Sequence, residues 1–435
     1  MKTIFAAFLL SIALSWPASG QVPAKERMVV LISLDGFPAY DLEDPKLPIP
    51  TLRRLIQTGV SARMHTVNPT VTWPNHTTLV TGVGADEHGL LVNGRIVSTN
   101  AWPPIKVDPM IDKVKMVHAR TVYDAAHQAG LTTAQVDWVA INNAPTITWA
   151  FPEWASPAGP VEQELIRKGV IAAADVQDFT KFNILWRDQI WTKAAAHLIR
   201  EHKPNLLLFH LLSLDSVHHQ YGPKGLAGMA AIAFLDSSVA KIVDAVRESG
   251  MQNRTTFLIV SDHGFKAYTK EIRPAVAFAA AGLSGKVHVL PEGGSAMIYL
   301  DKAQAAELLP RAVKALEAVE GIESVVREDG YAALGLPLPG RDPQMGQLFV
   351  TAKTGYAFSG ATGGPVTAEV PQTGGGHGYP ASDPDMDAIF IASGYRIRTG
   401  AKMDAIRNID VAPTIANLLG VSLPSAKGKA LPILQ

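Results

Sequence analysis

The sequence predicts an α/β fold: a mostly parallel central sheet with helices on both faces, interrupted by an inserted cap or subdomain. Apolar runs of strand length recur along the chain, helix-like segments separate them, and one long stretch breaks the alternation. The first run, "MVVLISLDG" (Met28–Gly36), is rich in β-branched residues and stops at a glycine, as a strand buried on both faces does. "NLLLFHLLSLDS" from Asn205, "TTFLIVSDHG" from Thr255 and "DAIFIASG" from Asp387 repeat the pattern. Helices are expected at "TVYDAAHQAG" (Thr121–Gly130), "WTKAAAHLIREH" (Trp191–His202) and Ala230–Gly250. The last carries apolar residues at helical spacing and meets a glycine stop. From about 266 to 374 the pattern changes to short strands ("KVHVLPEGGSAMIYL", "QLFVTAK"), one helix ("KAQAAELLPRAVKALEAVEG") and glycine- and proline-rich loops. This stretch is expected to be a subdomain inserted into one catalytic domain over 21–435.

Composition excludes several classes. Hydrophobic residues make up 47% and charged residues 18%, too apolar a balance for a disordered chain. Lys+Arg and Asp+Glu both number 39, so no net field draws in nucleic acid or an anionic membrane, and no nucleic-acid polymer is expected as partner. There is no cysteine, so any metal must be held by His, Asp and Glu. The N-terminus, "MKTIFAAFLLSIALSWPASGQ", has a lysine, a short apolar run and small residues at Ala18-Ser19-Gly20, the pattern of a secretory signal cleaved after Gly20. Export to a periplasm or to the exterior is expected. No other segment is expected to supply the roughly 18 apolar residues of a membrane span.

Three of the four strand candidates run into acidic or histidine residues. The first ends at Asp35, the second leads to Asp215 with His219 four residues on, and the third ends in Asp262-His263. Ligands of open α/β sheets bind at the carboxyl ends of strands, so these side chains should converge. His377, in "GGGHGYP", stands on a glycine-rich loop before the fourth strand. Taken alone, Asp35-Gly36 is as readily a turn, Asp215 a helix cap, and His377 ordinary surface. Together, three Asp and three His suffice for two metal ions with three protein ligands each. Imidazole and carboxylate without thiolate suit Zn²⁺, with Mn²⁺ or Fe as alternatives. His218 adjoins a ligand candidate but should point elsewhere, and His76 and His88 suit packing near the site. His65, His118, His127, His197, His202 and His288 have no evident partners and carry no assignment.

The passage "NPTVTWPNHTTLVTG" (Asn68–Gly82) places Thr72 at the mouth of a helix, with Trp73-Pro74 to stiffen the turn. A threonine there is either an N-cap or a group presented to a ligand at the helix N-terminus. These pieces, "LISLDGF", "NPTVTWPNHTTLVTG" with "EHGLLVN", "DSVHHQYGP", "SDHGF" and "GGGHGYP", resemble the alkaline phosphatase superfamily, in particular its nucleotide pyrophosphatase/phosphodiesterase branch. They span about residues 29 to 380 in the expected order. The resemblance implies two zinc ions, one held by Asp215, His219 and His377 and the other by Asp35, Asp262 and His263. It also implies Thr72 facing both as nucleophile, with a phospho-threonine intermediate, and Asn93 holding a phosphoryl oxygen. A neutral Asn with no arginine nearby suits the single charge of a diester or pyrophosphate better than a monoester. A phosphonate or phosphomonoester hydrolase is the alternative. Trp73 offers a flat wall to a small nucleotide-like or other diester substrate. "VDWVAINNAPTITWAFPEW" (Val136–Trp154) could line the same pocket. His210 stands where nucleotide-using relatives place an aromatic to stack a base.

Overall fold

The computed structural model describes residues 21–435; the expected signal segment lies outside them. Eight strands form the central sheet: β1 (Met28–Leu34), β2 (Gly59–His65), β3 (Thr133–Val136), β4 (Trp149–Phe151), β5 (Leu206–Leu211), β6 (Thr255–Val260), β7 (Ala388–Gly394) and β8 (Ala401–Arg407). Their spatial order is β8-β2-β7-β6-β1-β5-β3-β4. β1 pairs in parallel with both β5 and β6, and every one of its residues is buried. Its alternate side chains feed two separate cores: Met28, Val30, Ile32 and Leu34 on one face, Val29 and Leu31 on the other. That is why the run reads as continuously apolar and not alternating. Each such side chain contributes about 1.5–3 kcal/mol by burial.

β7, the fourth predicted strand, departs from the parallel pattern. It runs antiparallel to both β2 and β6. The sheet is otherwise parallel, so the predicted class holds with one reversed strand.

Helices cover both faces: α1 (Pro50–Gln57), α2 (Thr72–Thr81), α3 (Val122–Gln128), α4 (Pro160–Arg167), α5 (Ile184–Glu201), α6 (Ser213–Tyr221), α7 (Leu226–Glu248) and α8 (Val411–Leu419). α3 starts at a capping box, in which Thr121 accepts from the Asp124 N–H while the Asp124 side chain accepts from the Thr121 N–H. α5 begins seven residues before the predicted start, where Asn183 caps the Trp186 N–H. α7 corrects the expectation about membrane spans: among the described residues this one helix is long and apolar enough to cross a bilayer. Its Ile232, Leu235, Val239, Ile242 and Val246 instead lie in the core on one face of the sheet.

Between β6 and β7 the chain builds two smaller sheets. A four-stranded sheet joins Val287–Glu292, Ser295–Leu300, Leu348–Ala352 and Ile322–Val326, with the helix Ala305–Glu317 against it. This layer has its own apolar cluster, including Ile298, Leu308, Leu316, Leu348 and Val350. A three-stranded sheet sets Lys266–Ile272 between Gly355–Phe358 and Thr367–Gly376. The glycine run before His377 is therefore strand and not loop: Gly374, Gly375 and Gly376 pair with Tyr268, Ala267 and Lys266.

Candidate active site

The carboxyl end of the sheet gathers the predicted side chains. Asp35 follows β1, Asp262 and His263 follow β6, and Asp215 and His219 lie on α6 just past β5. Antiparallel pairing of Lys266–Ile272 with Thr367–Gly376 returns His377 to the same place, and its ring stacks on His263 at 3.8 Å between centroids. Two glycines permit this crowding. Gly36 has φ of +66°, which turns the chain immediately after Asp35. A Cβ on Gly375 would sit 2.1 Å from the His218 carbonyl oxygen, so only glycine lets this strand lie against α6.

Two sets of three side chains form, Asp215/His219/His377 and Asp35/Asp262/His263, each with its ligand atoms within 4.8 Å of one another. The three histidines share one orientation. Nδ1 donates to a backbone carbonyl in each: Gly375 for His219, Gly264 for His263 and Thr70 for His377, all at 3.0 Å. With Nδ1 so engaged, Nε2 keeps its lone pair and points inward. The His263 Nε2 lies 3.1 Å from Asp262 Oδ2 and 3.5 Å from Asp35 Oδ1. Those of His219 and His377 lie 3.4 and 3.7 Å from Asp215 Oδ1.

The carboxylates match. Asp262 Oδ1 accepts from the Gly36 N–H at 3.1 Å, and Asp35 Oδ2 lies 2.9 Å from His210 Nε2. The other oxygens, Asp35 Oδ1, Asp262 Oδ2 and Asp215 Oδ1, are buried without a hydrogen-bond partner. Unpartnered buried carboxylate oxygens are costly. Three of them facing histidine lone pairs fit bound dications, one in each set, which would accept these electron pairs. Burial, then the neighbouring Asp262 and Asp215 carboxylates, push the Asp35 pKa well above the ordinary value. Burial likewise raises Asp262, whereas for Asp215 burial is outweighed by His219 and His377, which hold it low. Burial, with His263 and His219, pushes His377 well below the usual imidazole range. Among the described residues, these three carboxylates pair only with histidines.

Thr72 is the first residue of α2 but does not cap it; Val71 holds the cap position, without a side-chain bond. The Thr72 hydroxyl is thus free of the helix, and its nearest polar partner is His263 Nε2 at 3.4 Å. His76, one turn on, lies 2.9 Å through Nδ1 from the Thr72 carbonyl oxygen and 3.5 Å from Asp262 Oδ2. Asn93 reaches α2 from outside: its Oδ1 accepts from the Trp73 N–H at 2.9 Å. That holds the Asn93 side chain at the first turn of α2.

Trp73 also walls a cavity of about 280 Å³, lined further by Trp138, Asn142, Asn143, Ile147, Glu153 and Trp154. The tryptophan-rich segment thus lines a pocket adjoining the nucleophile candidate, although Trp149 lies elsewhere, stacked on His202. A larger groove, about 710 Å³, opens between α1, β2 and β8 and contains none of these residues.

Sequence reasoning missed His210. It is fully buried and its Nδ1 meets the Asp137 carbonyl oxygen at 3.0 Å, so it holds Asp35 and cannot stack on a base. Its partners are remote in sequence, and only its place on an apolar strand hinted at burial. Four histidines given no partner also have one: His65 pairs with Asp387, His118 meets Arg95, and His197 and His202 both meet Glu164.

Known proteins are similar to this chain in sequence and fold. Ectonucleotide pyrophosphatase/phosphodiesterase family member 7 from Homo sapiens is 24% identical over 431 residues, covering 95% of this chain and 86% of its own. Family member 5 from Homo sapiens is 22% identical over 435 residues, covering 97% of this chain and 80% of its own. The structure of human ectonucleotide pyrophosphatase/phosphodiesterase 5 superposes with a TM-score of 0.70 at 20% identity, covering 93% of this chain and 97% of that one. A structure of the murine protein 5, an inactive Thr-to-Ala variant in complex with AMP, superposes with a TM-score of 0.68 at 18% identity, covering 94% of this chain and 96% of that one. The family model for type I phosphodiesterase / nucleotide pyrophosphatase matches residues 29–380, most of the chain. With the family model matching most of its length, this chain belongs to the type I phosphodiesterase / nucleotide pyrophosphatase family of hydrolases.

Proposed function

We propose that this protein is an exported two-zinc phosphodiesterase/nucleotide pyrophosphatase that works through a covalent phospho-threonine at Thr72. The observation that carries the reading is the uncapped Thr72 hydroxyl beside two histidine–carboxylate sets whose inward oxygens have no partner. Asp215, His219 and His377 would hold one ion, and Asp35, Asp262 and His263 the other. Bound dications would make the threonine alkoxide accessible near neutral pH, ease departure of the leaving oxygen and activate water.

The protein's own groups supply the rest. Thr72 Oγ1 attacks phosphorus as the bond to the leaving oxygen breaks, and water then cleaves the phospho-threonine to restore the hydroxyl. The Asn93 amide donates to a non-bridging oxygen as charge builds there. His210 and His76 orient Asp35 and the first turn of α2. One neutral donor, with no Lys or Arg paired to the site carboxylates among the described residues, suits the single charge of a diester or pyrophosphate. Trp73 and its cavity would receive the organic group, and the murine neighbour's complex with AMP supports a small nucleotide-like ligand. The mature chain, 21–435, would be one catalytic domain with 266–374 as inserted subdomain.

The test is hydrolysis by zinc-loaded protein of bis-p-nitrophenyl phosphate, thymidine monophosphate p-nitrophenyl ester and p-nitrophenyl phosphate. Preference for either diester supports the reading; preference for the monoester overturns it.

A further inference from the structure

A second metal-binding chemistry lies at the other end of the sheet. Glu164 on α4, His197 on α5 and His202 just past α5 bring three ligand atoms within 4.8 Å of one another. His197 Nε2 is 2.7 Å from Glu164 Oε1, and His202 Nε2 is 2.9 and 3.0 Å from its two oxygens. The two histidines are five residues apart, which on a continuing helix would point them away from each other. They meet because the helix ends there: the His202 and Lys203 N–H groups both donate to the Leu198 carbonyl oxygen, and Lys203 turns to a φ of +49°. Trp149 of the edge strand β4 stacks on the His202 ring, at 4.5 Å and 26°, and fixes its orientation.

This cluster is separate from the catalytic residues. His202 precedes β5, whereas Asp215 follows it, and six residues of strand span about 20 Å at ~3.3 Å each. Within the cluster, Glu164 pairs only with the two imidazoles among the described residues. His197 is almost fully buried, while Glu164 and His202 are about one quarter exposed, which leaves a side open to water.

We propose that Glu164, His197 and His202 form a further zinc site, with water as fourth ligand, that ties α4 to the end of α5 beside the sheet edge. Two imidazole nitrogens and one carboxylate oxygen are a ligand set zinc accepts in tetrahedral sites. Zinc bonds of ~2.0–2.1 Å at tetrahedral angles separate ligand atoms by about 3.3 Å, so the present nitrogen–oxygen distances need open by only about half an ångström. On binding, each ring shifts its proton from Nε2 to Nδ1, and the ion takes the place of the two N–H groups that now face Glu164.

The experiment is zinc content per chain by mass spectrometry, on full-length mature protein saturated with zinc and desalted. Glu164→Gln and His197→Gln/His202→Gln should each carry one zinc fewer than wild type, with diesterase turnover within about twofold. Glu164→Gln keeps the shape of the side chain and serves if the double variant does not fold. Because the readout is a difference, it does not depend on how many ions the catalytic sets hold. In a chain whose catalytic sets are disabled by Asp215→Asn and Asp262→Asn, Glu164→Gln should still remove one equivalent. Equal zinc content with and without Glu164→Gln, in either background, would show a plain histidine–glutamate hydrogen-bond cluster and overturn the proposal.

Discussion

Asp188 provides a sharp test of how the site is built. This carboxylate on α5 is fully buried, yet it reaches the start of α6, where its Oδ1 accepts from the Leu212 N–H at 3.1 Å and its Oδ2 from the Ser213 N–H at 3.0 Å. It therefore caps from a distance the helix that carries Asp215 and His219. Asp188→Ala leaves two donors unsatisfied at about 1–3 kcal/mol each, so a loss of roughly 2–6 kcal/mol is expected in urea unfolding. Asp188→Asn presents an amide hydrogen to one of the donors and should cost less. Its effect depends on pH. Burial, opposed by the donors at Ser213 and Leu212, raises the carboxyl from 3.8 to about 6 in the folded chain. A raised folded pKa means the native state binds more protons than the unfolded chain. That contribution is complete below about 3.8 and is lost as pH rises through 6, and at about 1.36 kcal/mol per unit it reaches at most about 3 kcal/mol. The stability gap between wild type and Asp188→Asn should thus widen as pH falls from 7 to 4.5. An Asp188→Ala protein within about 0.5 kcal/mol of wild type at pH 7 would refute the capping role. A gap that stays level across the pH range would refute the burial-raised carboxyl pKa.

Other substitutions address the chemistry. Thr72→Ala should retain zinc and fold while diester hydrolysis falls by at least ~10³-fold, and Thr72→Ser should restore part of it; turnover and metal analysis on the same preparations check this. Asn93→Ala should lower kcat by about 10²-fold with a smaller change in KM, read from steady-state kinetics. His210→Gln, which breaks the contact with Asp35, should weaken zinc binding by about 10–100-fold in competition with a chelator. Asp262→Ala should reduce metal content and activity together, so normal zinc stoichiometry in that variant would remove Asp262 from the ligand set.

Much of this architecture is legible in the sequence because buried strands are apolar on both faces. Met28–Leu34 and Thr255–Val260 needed no partner to be recognised, and the acids that follow them stand out against apolar neighbours. Strand direction is different. Nothing in "DAIFIASG" distinguishes a parallel from an antiparallel neighbour, so the reversal of β7 emerges only from its pairing with β2 and β6. Asp35, Asp262, His263 and His377 could be picked out because each stands next to a strand end or a glycine, and Asp215 and His219 because they share the short helix that follows β5. Supporting groups could not: His210 meets Asp35 across 175 positions, and Glu164 meets His197 across 33. A contact between distant elements leaves no periodic signal in either segment.

The two strands that leave and re-enter the sheet between β6 and β7 pair with each other, and the stacked rings of His263 and His377 sit where they meet it. A segment whose ends already touch adds little loop-closure cost, and what lies beyond the paired strands is tied down as well: Met297, Tyr299 and Phe349 share an apolar cluster with Leu91, Ile96 and Ile105. Shifting the paired strands by a single register step would swing one imidazole out from under the other, so the rungs nearest the two rings have to stay fixed.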